Sequence, residues 1–193
     1  MRPRKGVANV TTRALSVVTI VITLIATTAA HAQSSGSRTN GQGTNTPAPP
    51  VDVATAKALN AAIDALNMSD YDAARAALAP LKVDKLSPYE HSRLEQILSN
   101  IAAAQEKYDE ARAHIEGAIK AGGLNEQEAL DLRFQIGQLF MAEGKWKEGA
   151  ASLEEWFKVA PNPNSAAWYL LAAAYYQNED YEHARREPGD APN

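Results

Sequence analysis

The side chains in this sequence that could do chemistry are a few histidines and one acid–histidine pair. Glu90 and His91 are adjacent, and a carboxylate beside an imidazole is a common acid–base combination. His91, His114 and His183 are placed in different repeats of the pattern described below, at a spacing that matches no metal-binding motif. The sequence has no cysteine, which excludes a thiol nucleophile and any disulfide.

Other catalytic signatures are missing as well. The sequence contains no GxSxG turn, no Walker phosphate loop and no Rossmann glycine run. Glu90 also has a structural explanation, because Ser87-Pro88-Tyr89-Glu90 is a typical helix start in which the acid reaches back to the capping serine. We therefore predict no catalytic residue, no metal and no cofactor. An envelope hydrolase with an unrecognised site is the remote alternative, which an activity screen would test.

One pattern of aromatic and small residues recurs four times. Its steps are 37, 38 and 35 residues, counted between the aromatic residues Tyr71, Tyr108, Trp146 and Tyr181. A small residue follows each aromatic by three positions: Ala74, Ala111, Gly149 and Ala184. Another precedes it by nine: Ala62, Ser99, Gly137 and Ala172. Small residues at fixed positions let two helices approach closely, so each unit is predicted to be a helix pair.

This pattern resembles the tetratricopeptide repeat, a helix–turn–helix unit of about 34 residues. The fold is therefore expected to be all-α, a right-handed α-solenoid of about four antiparallel helix pairs over residues 51–184, with the last pair incomplete. Gly149 is expected to lie opposite Gly137, and Tyr181 to fill the wedge at the last turn. The packing positions also predict that Trp146, Trp156 and Trp168 belong to the core.

Helix boundaries follow from caps, prolines and glycines. We expect Ser69 to cap the second helix, Pro80 to end it, and Ser87 and Asn125 to start later helices in capping boxes with Glu90 and Glu128. Glycines are expected to end the helices before them. The predicted helices are 52–67, 70–79, 87–105, 107–121, 125–142, 146–159 and 166–177, with another starting at Tyr181.

The amino-terminal region is typical of export. Residues 1–32 combine a basic head, an apolar run and the small-x-small site Ala30-His31-Ala32, which predicts a signal peptide cut after Ala32 and a periplasmic location. An uncleaved inner-membrane anchor is the alternative. Residues 33–50 are rich in Gly, Ser, Thr, Asn and Pro and are predicted to be a disordered linker. Residues 185–193 are predicted to be a disordered tail, left either by truncation or a frame change, or by a natural end that a partner caps.

Charge restricts the class of partner. The full chain carries a net charge of −4. Removal of residues 1–32 takes away Arg2, Arg4, Lys5 and Arg13 and no acid, which leaves 15 basic and 23 acidic residues. An acidic domain is a poor ligand for nucleic acid or an anionic membrane surface. We therefore expect a protein or peptide partner, no nucleic acid, and a membrane contact only if the signal is uncleaved.

The repeat resemblance also implies a binding face. In that family the first helix of each pair lines a concave groove that binds extended peptides or a partner's helix. The matching positions here are Arg93, Gln96, Asn100, Phe134, Gln138, Met141, Tyr169, Tyr176 and Gln177, with Leu59, Ile63 and Leu66 in the first repeat. Glu110, Arg112 and Glu154 are expected on the convex side. The resemblance thus implies a protein-binding scaffold and no enzyme.

A narrower resemblance rests on three phrases: LSPYE at 86–90, GGLNEQE at 122–128 and PNPN at 161–164. Together with the repeats, they resemble the periplasmic tetratricopeptide proteins associated with TonB–ExbB–ExbD energy-transducing systems. That resemblance implies a scaffold role in outer-membrane transport, with TonB-system components as partners. An adaptor in cell-envelope or outer-membrane biogenesis is the alternative, and pulldown from envelope extracts would separate the two.

Overall fold

The chain folds as a series of α-helices. The structure is a computed structural model that describes residues 49–185, all within the compact unit Thr44–Asn193. The predicted signal peptide, most of the predicted linker and all but the first residue of the predicted tail lie outside the described residues. The helices are α1 (Val53–Asn67), α2 (Tyr71–Leu78), α3 (Pro88–Ala104), α4 (Tyr108–Lys120), α5 (Glu126–Glu143), α6 (Trp146–Phe157), α7 (Ser165–Gln177) and α8 (Tyr181–Ala184). A short 3-10 turn at Val83–Lys85 interrupts the segment predicted to be a plain loop.

The helices associate as consecutive pairs. The most extensive packing joins α1 with α2, α3 with α4, and α5 with α6, through turns of two or three residues. Contacts between pairs, such as α4 with α5 and α6 with α7, continue the stack. The predicted all-α solenoid of helix-pair repeats is therefore confirmed, and residues 49–185 contain no β-strand. None of the helices in this range has the length and hydropathy of a membrane span.

Most predicted helix starts and stops are confirmed. Ser87 and Asn125 form capping boxes with Glu90 and Glu128, in which side chain and backbone hydrogen-bond in both directions. Gly144 adopts the left-handed conformation at the end of α5. Ser69 was the wrong choice for the cap of α2. Asp70 accepts the hydrogen bond from the Ala73 amide instead, because Ser69 is one residue too early and lies in the left-handed region at φ 59°.

One turn geometry recurs at every helix pair. The residue two before the opening aromatic of each second helix has a positive φ: Ser69, Glu106, Gly144 and Glu179. The amide that follows it donates a 2.9 Å hydrogen bond to a carbonyl five residues back, as in Lys107 to Ala102 and Lys145 to Phe140. Glycine adopts this conformation without strain, whereas three of the four turns use a residue with a side chain.

We expect Glu106→Gly to stabilise the fold. Glu106 has φ 59°, where a side chain strains the backbone, and removal of that strain should raise the unfolding free energy by about 0.5–1 kcal/mol. The reciprocal change, Gly144→Ala at φ 79°, should lower it by a similar amount. Urea denaturation of both variants measures the difference. A less stable Glu106→Gly variant would show that the glutamate side chain contributes more than its backbone strain costs.

Two apolar clusters run through the first two helix pairs. One joins α1, α2 and α3 and includes Leu59, Leu78, Leu94 and Ile101. The other joins α3, α4 and α5 around Ile115, which has no exposed surface. Because helices of successive pairs share each cluster, burial of one pair depends on the next, as expected for stacked repeats.

The third pair closes through two glycines, in a different register from the one predicted. Gly137 on α5 lies against Leu153, where a Cβ would sit 2.7 Å from the leucine Cδ2. Gly149 on α6 lies against Met141 and Phe140 rather than opposite Gly137. The prediction that the two glycines face each other is therefore wrong. Helices α5 and α6 cross between the two glycines, so a side chain of the opposite helix packs on each glycine.

Aromatic side chains continue the packing toward α7. Trp156 stacks on Phe134 and touches Phe157, whose ring lies 4.3 Å from that of Trp168. The prediction that Trp146, Trp156 and Trp168 belong to the core is correct only in part, because all three are half-buried. Tyr181 does not fill the last turn as predicted. It is 50% exposed in the four-residue helix α8, and its ring packs edge to face with that of Tyr176.

Candidate interaction surface

Helix α7 carries the two most exposed tyrosine side chains of the described residues. Asn164 caps the helix by accepting from the Ala167 amide at 2.9 Å. Its sequence, SAAWYLLAAAYYQ, has no charged residue. Leu171, Ala174 and Tyr175 form the buried face of the helix. Tyr169 and Tyr176 lie on the opposite face and are 78% and 62% exposed. We call Tyr169 and Tyr176 the α7 tyrosine face.

The predicted groove positions on α3 and α5 are more enclosed. Phe134 is half-buried under the ring of Trp156, with 4.8 Å between the ring centroids. Gln96 accepts a hydrogen bond from Arg93, and the Arg93 guanidinium also lies over the Tyr89 ring. Asn100 and Gln138 are half-buried. These half-buried residues are mostly polar and do not form a continuous apolar groove.

Four predicted groove residues belong to the core or pack against it. Met141 is only 3% exposed because its thioether packs on Gly149 between α5 and α6. Leu59 is 7% exposed, and Ile63 and Leu66 pack against the same first cluster. Leu59, Ile63 and Leu66 therefore do not form exposed anchors while the first cluster is intact. Tyr169, Tyr176 and Gln177 are the predicted groove residues that the structure leaves exposed, and all three lie on α7.

The structure also corrects the view of the histidines. His91 and His114 belong to the same helix pair, on α3 and α4, and both contact Glu95. The Glu95 oxygens lie 3.3 Å from His91 Nε2 and 2.7 Å from His114 Nδ1. Spacing along the sequence could not show this contact, although His91 and Glu95 lie one helical turn apart. Gly117 makes room for it, since a Cβ there would lie 3.0 Å from a Glu95 oxygen.

An ion pair extends this histidine cluster. Glu110 lies 3.8 Å from His114 and accepts a hydrogen bond from Arg75 at 2.7 Å. The Arg75 hydrogen bond lowers the pKa of Glu110. Within residues 49–185, no group of three or more histidine, aspartate or glutamate side chains could hold a metal ion. The cluster therefore serves as a polar bridge between α2, α3 and α4.

A second polar network joins α4 to the α5–α6 turn. Arg112 is 6% exposed, donates to Asp109 and to Glu143, and lies 4.0 Å from the Phe140 ring centroid. Lys145 also contacts Glu143 at 2.7 Å. Burial alone would raise the pKa of Glu143, but the hydrogen bonds from Lys145 and Arg112 lower it. Arg112 is thus a buried structural residue rather than the exposed convex-side charge that was predicted.

The other two predicted convex-side charges are engaged as well. Glu110 pairs with Arg75, and Glu154 accepts a hydrogen bond from the Tyr175 hydroxyl. Substituting any of the three would therefore disturb packing between helices. Exposed residues without such contacts, such as Glu116 on α4 and Met68 after α1, are better controls for a binding experiment.

Glu90 has a structural role that extends beyond its own helix. It is 6% exposed, and its two oxygens accept hydrogen bonds of 2.8 Å from the amides of Ser87 and Asp52. Asp52 caps α1, so Glu90 joins the starts of α1 and α3. The Ser87 amide and then the Asp52 amide lower the pKa of Glu90 below its usual 4.5. With both oxygens engaged, Glu90 is not the base of an acid–base pair with His91.

We expect Glu90→Gln to reduce the acid sensitivity of the fold. A carboxylate whose pKa is lowered by folding contributes stability above its unfolded pKa of about 4.5, and that stability is lost as the pH falls through the folded pKa. Glu90→Gln should cost about 1–3 kcal/mol at neutral pH and flatten the fall in acid. Thermal unfolding measured from neutral pH into acid gives both the cost at neutral pH and the fall in acid. Glu116→Gln is the exposed control. An unchanged pH profile would contradict the role given to Glu90.

Comparison with known families agrees with this architecture. A family model described as a tetratricopeptide repeat matches residues 59–126, 98–156 and 134–191, which overlap and together span most of the chain. The comparison with curated proteins gave no significant match. Proteins built from these repeats are typically non-enzymatic scaffolds that mediate protein–protein interactions. The helix pairs, the recurrent turn and the family match agree, and the chain belongs to the tetratricopeptide repeat family.

Proposed function

We propose that this protein is a scaffold that binds a protein partner through the α7 tyrosine face. The observation that carries the proposal is the exposure of Tyr169 and Tyr176 on a helix without charges. Tyrosine is enriched in protein interfaces because its ring buries a large apolar area while its hydroxyl can still hydrogen-bond. The net negative charge of the chain also favours a protein partner over a nucleic acid.

We propose further that the scaffold works in the periplasm, as an accessory of a TonB-type transport complex. The support is the export pattern of residues 1–32 and the resemblance carried by the LSPYE, GGLNEQE and PNPN phrases. The intact mass of protein from the periplasm should correspond to a chain that begins at Gln33. A full-length mass in the membrane fraction would favour the anchored alternative, and copurification with outer-membrane assembly factors alone would favour the biogenesis adaptor.

The binding test compares three variants of the full chain. Tyr169→Ala with Tyr176→Ala removes the exposed rings, and interface aromatic residues often contribute about 2 kcal/mol or more each. We therefore expect loss of partner capture from envelope extracts with unchanged helical circular dichroism. Met68→Ala removes another exposed apolar side chain, 74% exposed, and Glu116→Ala removes an exposed charge. If the controls abolish capture and the tyrosine variant retains it, the proposed face is wrong.

A further inference from the structure

The third helix pair shows what covers the tyrosine position when a repeat is complete. Trp156 of α6 lies on Phe134 of α5, and its indole Nε1 donates a hydrogen bond to the Leu130 carbonyl at 3.0 Å. Leu153, one turn earlier on α6, is fully buried against Gly137. Phe157 follows and packs toward Trp168 of α7. The second half of α6 thus places a leucine and a tryptophan over α5, whereas the phenylalanine packs on the next repeat.

The third and fourth repeats are 35 residues apart, which gives the corresponding positions on α7. Tyr169 corresponds to Phe134, Ala172 to Gly137 and Ser165 to Leu130. Helix α8 provides only the beginning of the covering helix, since it ends at Ala184, which corresponds to Gly149. Phe134 is half-buried, whereas Tyr169 is 78% exposed. The α7 tyrosine face is therefore the open counterpart of a site that α6 occupies on α5.

The residues that follow α8 in the sequence do not fit this site. Pro188, Ala191 and Pro192 stand where Leu153, Trp156 and Phe157 would have their counterparts. Proline lacks the amide needed to continue a helix, and neither proline nor alanine can stack as an indole does. Residues 186–193 thus contain no leucine, tryptophan or phenylalanine to match those that α6 supplies to α5.

We propose that α7 accepts an amphipathic helix from a partner protein, one that supplies a leucine followed three residues later by a tryptophan, as Leu153 and Trp156 do in α6. The leucine would pack on Ala172 as Leu78 packs with Ala62, which hold the same two positions in the first repeat and share the first cluster. Because Ala172 carries the Cβ that Gly137 lacks, this helix would lie farther from α7 than α6 lies from α5. A tryptophan would pack on Tyr169 and donate to the Ser165 carbonyl. The face of this helix turned to α7 must be uncharged, because α7 offers no charge to pair with. The proposal rests on the proposed scaffold function and names the class of partner.

The probe is a lactam-stapled peptide with the sequence of α6, the 12 residues Trp146–Phe157. A short helix is marginal in water, and the staple reduces the cost of ordering it. Fluorescence anisotropy with the full chain should show saturable binding. A matched peptide with alanine in place of Leu153 and of Trp156 should bind at least tenfold more weakly. Tyr169→Ala in the protein should weaken binding of the α6 peptide by a similar factor.

Three outcomes of the peptide experiment would overturn the proposal. They are no binding of the α6 peptide, equal binding of the alanine peptide, and binding that Tyr169→Ala does not change. A dimer in sedimentation analysis that dissociates on Tyr169→Ala would also overturn it, by assigning the face to a second copy of the chain. If the tyrosine variant loses capture of the envelope partner while the peptide neither binds nor competes, the scaffold function stands and the helical partner class is wrong.

Discussion

Gly123→Ala is expected to lower the unfolding free energy by about 3 kcal/mol or more. Gly123 follows the end of α4 and lies against the start of α3. A Cβ at this position would sit 2.3 Å from the Pro88 carbonyl carbon and oxygen and from the Tyr89 Cα. These are backbone atoms, which cannot turn aside as a side chain can. The methyl group would therefore push α3 away from α4.

The same change would disturb a buried hydrogen-bond chain. The Gly123 amide donates to the Ser92 hydroxyl at 3.3 Å, and that hydroxyl donates to the Ala118 carbonyl at 2.8 Å. Ser92 has no exposed surface, so water cannot replace a lost partner unless the helices separate.

Gly122→Ala is the matched control for this experiment. Gly122 has φ 76° but no close neighbour, with its nearest contact at 4.0 Å, so alanine there should cost only about 1 kcal/mol of backbone strain. Urea denaturation of both variants gives the comparison. Equal costs at the two positions would mean that the contact of Gly123 with α3 is not tight.

The features that could be predicted from the sequence are those encoded locally. The capping boxes at Ser87 and Asn125 depend on residues three apart in one helix, and the repeat depends on small residues at fixed offsets. Both signals are complete within a short window of sequence. The choice of Ser69 over Asp70 failed because both are good caps, and the left-handed conformation of Ser69 decides between them.

The binding surface was harder to predict, because exposure depends on which helix lies above a residue. Tyr176 and Met141 occupy the same position of their repeats, yet one is 62% exposed and the other 3%. The difference comes from the neighbouring helix, since α6 covers Met141 and α8 is too short to cover Tyr176. The contact of His91 and His114 with Glu95 was missed for a similar reason, because it depends on how α3 and α4 cross.

The packing of α5 on α6 should appear as strong coupling between two substitutions. Leu153 has no exposed surface, and Leu153→Ala should cost about 2–5 kcal/mol because it leaves a cavity. Gly137→Ala should cost about 1–3 kcal/mol, since its Cβ would sit 2.7 Å from Leu153 Cδ2 and 2.8 Å from Leu153 Cγ. The cavity of the first variant is thus the space that the methyl group of the second requires.

The double variant should therefore be more stable than the two separate costs imply. With the leucine branch gone, the new methyl group has no clash and fills part of the cavity, so a coupling energy of about 1–3 kcal/mol in favour of the pair is expected. Urea denaturation of the four proteins in the cycle measures it. Leu59→Ala combined with Gly137→Ala is the control, because Leu59 packs in the first cluster, which joins α1, α2 and α3, away from the Gly137–Leu153 contact. Additive costs for Gly137 and Leu153 would mean that the two residues do not touch, and that α5 and α6 pack in another register.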